Sequence, residues 1–150
     1  MTHVHRLRLV FHGAIVLMVG LLSGLPTVVE SINGDAVRVW HTAHEALIMM
    51  GIWLLVMSSV VPVLVLARRE ATVLFGALLA MGYGFIVALV LGGAIGVSPF
   101  EPGRTPAAFT AFVAAVIGIG GAVISAALTI MGARAALTAA PALAESLPER

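Results

Sequence analysis

The chain has 150 residues, 61% hydrophobic and 10% charged, with a net charge of +1. A soluble domain carries about 25% charged residues, so this composition excludes that class and points to a protein whose core is built against lipid. The absence of cysteine excludes disulfides, thiolate metal sites and cysteine nucleophiles. All eight basic residues are arginines, and they form no cluster of the kind that binds nucleic acid.

Four apolar runs are each long enough to span a bilayer, for which about 20 residues suffice. They cover 9–29, 43–67, 71–97 and 107–133, and predict an all-α, integral membrane four-helix bundle forming one domain. SINGD (31–35) reads as a turn, ARRE (67–70) as a charged hairpin, and SPFEPGRTP (98–106) as a proline-rich connection. The tail 137–150 is small, polar and proline-containing, and reads as frayed. Pro26 and Pro62 each free a carbonyl four residues earlier, at Leu22 and Ser58, and are expected to bend their helices. Ser58 and Ser59 stand ready to satisfy the freed group.

Arginine placement sets orientation. Four spans put both termini on the side of the ARRE hairpin, with Arg6, Arg8, Arg68, Arg69, Arg134 and Arg150; only Arg38 and Arg104 fall opposite. The positive-inside rule then predicts a multi-pass protein of the cell (inner) membrane with both termini cytoplasmic. Small residues recur every four positions at Ala114, Gly118, Ala122 and Ala126, and at Gly76, Ala80 and Gly84. Such ridges let helices approach closely in lipid, and fit a compact bundle, an oligomer seam, or both.

Polar side chains within the spans are few, and intramembrane ionisable groups are functional candidates by default. They are His12, His44 and Glu45, with His41, Arg38 and Glu30 at an interface; Asn33 and Tyr83 are the sole Asn and Tyr. Thr42-Ala43-His44-Glu45 fits a capping box, although a helix starting near Asp35 would leave Glu45 inside it. His12 has no partner that the sequence identifies; a packing histidine bonded to a carbonyl and a proton relay are both open.

His41 and His44 share a helix face, but their H-x-x-H-E spacing matches no zinc-protease motif. Zinc would need three or four ligands, and only Glu45 and distant acids are available. Haem fits better. A single imidazole holds it, and Met49, Met50 and Trp53 with neighbouring small residues supply apolar walls. Arg38, Arg104 and Trp40, near the outer surface, suit propionate anchoring. His12 and His44 stand at levels that differ by roughly 20 Å at 1.5 Å per residue. Both therefore cannot hold one iron in one bundle, and the expected site has one axial histidine and an open face, which acts as a Lewis acid.

His12-Gly13, Trp40-x-x-Ala43-His44, the apolar helix that follows to a proline, Gly82-Tyr83 and Ser98-Pro99 together resemble the styrene oxide isomerase family. These are small four-helix membrane enzymes that bind haem b, and the likeness extends over most of the chain. The resemblance implies that His44 is the axial ligand and, through the iron, the catalytic residue. It also implies a homotrimer with haem near subunit contacts. The implied reaction converts a small hydrophobic (aryl) epoxide to a carbonyl compound with no net redox change. The family carries an Asn six residues after the ligand and an aromatic hydroxyl late in span three; here those positions hold Met50 and Leu89.

The expected assignment is accordingly a haem-dependent epoxide isomerase. Its substrate pocket is formed by Met49, Met50, Trp53, Tyr83 and Phe85, and its cofactor is held by His44, Trp40, Arg38 and Arg104. A non-catalytic haem protein for redox, sensing or haem handling is the alternative, and a haem-free interaction protein the third reading.

Overall fold

The structure, a computed structural model, describes residues 3–28 and 34–145. Glu30, Asn33 and Arg150 lie outside the described residues. Lipid offers no hydrogen-bond partner to a backbone, so apolar runs of this length close their own bonds as helices. Four result: α1 (His3–Leu22), α2 (Gly34–Val60), α3 (Arg68–Ile95) and α4 (Pro106–Glu145). All four are long and apolar enough to cross a membrane, and no strand occurs among the described residues.

The ends of these helices follow from local chemistry. Pro26 and Pro62 terminate helices instead of bending them: α1 stops at Leu22 and α2 at Val60, each followed by a short 3-10 turn. The Ser58 carbonyl that Pro62 frees accepts a hydrogen bond from Arg6 Nε at 3.3 Å, while the Ser58 hydroxyl donates to Leu55 O. A guanidinium from α1 therefore does what was expected of the serines. At the start of α3 the Glu70 carboxylate accepts from the Ala67 N–H at 2.8 Å. At its end Gly96 takes the left-handed conformation (φ 67°), and the Val97 N–H returns to Gly92 O at 3.0 Å. Thr105 caps α4 through the Ala108 N–H, ahead of Pro106 in the first helical position.

Two expected boundaries shift. Helix α2 starts eight residues before Thr42, whose hydroxyl instead donates back to Arg38 O at 3.0 Å. No capping box forms there, and Glu45 lies inside the helix, 3.6 Å from His41 on an exposed face. Helix α4 runs past Ala133 to Glu145, so most of the expected tail is helical.

Helix α3 is central. It packs mainly on α4, while α1 packs mainly on α2; α2 and α4 flank α3 and scarcely touch each other. Close approach rests on small residues. A Cβ at Gly51 would fall 2.6 Å from the Leu17 backbone nitrogen, and one at Gly84 would fall 2.7 Å from that of Gly118. The Ala114–Gly118 part of the small-residue ridge is thus consumed by the bundle itself. The core between the helices is filled by Leu9, Val16, Leu47, Leu54, Leu74 and Leu78, all fully buried. Arg6 at Ser58, His5 against Phe75, and the Val65 N–H on Gly132 O bring the start of α1, the ends of α2 and α4, and the start of α3 to one end of the bundle.

Candidate functional site

Helix α2 presents three faces along its length. On the first, His44 rests against the end of α1. Its Nδ1 lies 2.9 Å from the carbonyl of Gly20, which also accepts the Ser23 hydroxyl at 2.8 Å. That carbonyl belongs to the last turn of α1, where helical acceptors have no intrahelical partner and carry partial negative charge. A carbonyl can only accept, so the proton is on Nδ1 and the lone pair on Nε2. Gly24 makes room for the ring, since a Cβ there would fall 2.7 Å from His44 Nδ1.

The second face points at α3. Trp40 lies over Gly93, where a Cβ would meet the indole at 2.8 Å. Beside it a small cavity of about 190 Å³ is bounded by Val19, Ser23, Pro26, Trp40 and Val90. On the third face, Met49, Met50 and Trp53 line an apolar cleft of about 420 Å³, floored by Met81 and closed opposite by Ala122, Ser125 and Ala126 of α4. Toward the start of α2 a second cleft of about 410 Å³ joins Arg38 and Thr42 to Leu89, Gly96, Ser98 and Phe100.

The structure therefore gathers Met49, Met50 and Trp53, but distributes the remaining candidates. Arg38 lines the second cleft, Trp40 the small cavity, and Arg104 is exposed on the α3–α4 connection. Phe85 is buried under Gly118, between α3 and α4. Tyr83 faces α1, where its hydroxyl lies 2.7 Å from Nδ1 of His12, so His12 does have a partner, on another helix. His44 meets α1 at Gly20, eight residues beyond His12, or about 12 Å along the axis. The two histidines stand at separate levels, though closer than a count along the spans suggests.

No group of three or more His, Asp or Glu side chains comes together among the described residues, so a metal ion held wholly by protein ligands has no ligand set there. A lone imidazole whose Nδ1–H is held by a carbonyl has the donor chemistry of an axial haem ligand, and in that respect His44 fits the group. Sequence reasoning missed the Gly20 carbonyl, Gly24 and Ser125. Only Ser125 left a trace, as a hydroxyl within an otherwise apolar stretch of span four.

These features define a class: a four-helix integral membrane protein with a histidine of α2 oriented by a backbone carbonyl and an apolar cleft between helices. The family model described as styrene oxide isomerase matches residues 5–137, which takes in all four spans, and the chain belongs to that family. No curated protein and no solved structure matches it.

Proposed function

We propose that the protein is a haem b-dependent membrane isomerase that converts small hydrophobic, aryl-bearing epoxides to carbonyl compounds. The observation that carries this reading is the His44 hydrogen bond to Gly20, which leaves Nε2 as the available donor atom in a family of isomerases. When bound, ferric haem would supply a Lewis acid for the epoxide oxygen.

The chain's own residues supply the rest. The Gly20 carbonyl holds the imidazole in one tautomer and makes Nε2 more basic, as carbonyl and carboxylate partners do behind metal-binding histidines. Ser23 shares that carbonyl from within the end of α1, three residues on. Met49, Met50 and Trp53 offer a dry wall for an aryl group, which keeps water from opening the ring to a diol. Arg38, Arg104 and Trp40, near the outer end of the bundle, are the residues we assign to the propionates.

Within one chain His44 faces α1 while the cleft faces α4, so a single copy does not join ligand and pocket. We assign the joining to a homo-oligomer, a trimer by resemblance, in which copies complete one another's sites. The arginine distribution supports insertion in the inner membrane with both termini cytoplasmic.

A second reading, a non-catalytic haem protein, is favoured by one observation. Met50 lines the cleft and Leu89 is fully buried, so neither position offers a donor to an epoxide oxygen.

Absorption spectra with turnover assays test both. The extracted protein should show a Soret band that His44→Ala abolishes and added imidazole restores, and it should isomerise styrene-type epoxides without reductant. A band lost in His41→Ala and kept in His44→Ala would overturn the ligand assignment. Haem-loaded ferric protein that leaves aryl epoxides intact would leave the second reading standing.

A further inference from the structure

An arginine inside an apolar span is costly unless its head finds a protein partner or reaches the phosphates of the headgroup layer. Arg8 lies within the span Val4–Val28, about 6 Å along the axis from its start. It is exposed, and among the described residues it has no hydrogen-bond or ion-pair partner. His5, Arg8 and His12 follow one another at i, i+3 and i+7, so they share one face of α1. His5 meets Phe75 edge-on at 5.2 Å and His12 bonds to Tyr83, which makes that face the one turned to α3. Arg8 therefore flanks the α1–α3 groove between these two contacts. Arg68, seven residues before Phe75, continues the same face of α3 toward the end of the bundle.

The surroundings are basic and apolar at once. Arg6, Arg68, Arg69 and Arg134 are exposed at this same end, while the Glu70 carboxylate is taken by the Ala67 N–H of its own helix. Val4 and Phe11, one turn before and one turn after Arg8, are exposed, and α1 touches α3 only lightly. We propose that the α1–α3 groove holds an anionic phospholipid, its phosphate on the Arg8 guanidinium and one acyl chain along Val4 and Phe11. A guanidinium fork matches a phosphate with two parallel hydrogen bonds. The surrounding arginines favour a headgroup of net negative charge, as basic pockets between spanning helices do. A zwitterionic lipid offers the same phosphate but brings a cation into that field. The position of Arg8 inside the span, beside exposed apolar side chains, selects a lipid over an acidic segment of a soluble protein.

The test is native mass spectrometry of the full-length protein in uncharged detergent, titrated with dioleoyl phosphatidylglycerol or dioleoyl phosphatidylcholine. These lipids share their chains and their phosphate and differ in net charge. Phosphatidylglycerol should add saturably, one per chain, at about a tenth of the concentration that phosphatidylcholine needs. Arg8→Gln should weaken phosphatidylglycerol by about 10-fold, the worth of one charge-assisted hydrogen bond. Arg8→Lys, which keeps the charge and loses the fork, should fall between the two. Arg134→Gln removes the same charge from the same end but from α4, off the groove, and should change binding by less than about 2-fold. Arg8 lies about 18 Å along α1 from Gly20, so these variants leave the surroundings of His44 intact.

Equal affinity for the two lipids would overturn the proposal, as would equal losses in Arg8→Gln and Arg134→Gln, which would reduce it to a diffuse surface field. Displacement of the bound lipid by inorganic phosphate at matched concentration would assign the site to the free anion and overturn it too. If Arg8→Gln changes the number of chains in the assembly and leaves phosphatidylglycerol binding as in the parent, the groove is a seam between copies and no lipid site exists there. Loss confined to the Arg8 variants, graded from Lys to Gln and insensitive to inorganic phosphate, upholds the site.

Discussion

The Nδ1 of His12 lies 2.7 Å from the hydroxyl of Tyr83, joining α1 to α3 near the middle of both helices. These helices touch only lightly elsewhere, so one side-chain hydrogen bond has a large share in fixing their relative position. Tyr83→Phe should lower stability by about 0.5–1.5 kcal/mol, the usual net worth of such a bond. A cycle with His12→Phe should show the double variant losing less than the sum. Thermal unfolding in detergent measures this, and the haem absorbance should not change, because the pair lies about 12 Å below His44.

Gly24 and His44 give a sharper test. A side chain at Gly24 would occupy the place of the imidazole, 2.7 Å from Nδ1. Gly24→Val should displace the ring from Gly20 and weaken haem binding by on the order of 10- to 100-fold, the range seen when the group behind a ligating histidine is lost. Haem titration followed by absorption checks it; unchanged affinity would show that the bond to Gly20 does not orient the ligand.

Two glycines of span three should answer oppositely to the same substitution. Gly84→Ala drives a methyl group into the Gly118 backbone and should destabilise by about 1–3 kcal/mol. Gly76→Ala meets nothing within 4 Å and should be neutral or slightly stabilising through better helix propensity. Denaturation midpoints of the two variants, measured in one detergent, decide it.

Met50 lines the cleft at the position where the family carries an amide. Met50→Asn should accelerate epoxide isomerisation, since a positioned donor is worth on the order of 10²-fold or more in rate. The effect should appear chiefly in kcat. No gain with haem fully loaded would separate the cleft from the reaction.

Topology is open to direct measurement. Reporters fused at Gly103 should report an external location and those in the hairpin at Arg68–Arg69 a cytoplasmic one, as arginine placement requires. The inverse pattern would move His44 to the inner leaflet.

The four spans, their polar breaks and the arginine asymmetry were legible in the sequence, because the bilayer dictates length and hydropathy residue by residue. His44 was legible as a rare ionisable group at the head of a span, and the family with it, through Trp40, Ala43 and His44. Which way each helix faces was not. A helix that is apolar all round carries no amphipathic stripe to orient it, so nothing in α2 told that His44 turns to α1 while Met49, Met50 and Trp53 turn to α4. Tyr83 and Phe85 are two residues apart, about 200° around a helix, and the bundle sends them to different neighbours. The prolines announced bends where the bundle has helix ends, and the fate of the Ser58 carbonyl depended on Arg6 from another helix. Hydropathy acts through solvent and is therefore local in the chain, whereas the tautomer of His44, the partner of His12 and the cleft at Trp53 arise from contacts between residues far apart in sequence, which only the packed bundle brings together.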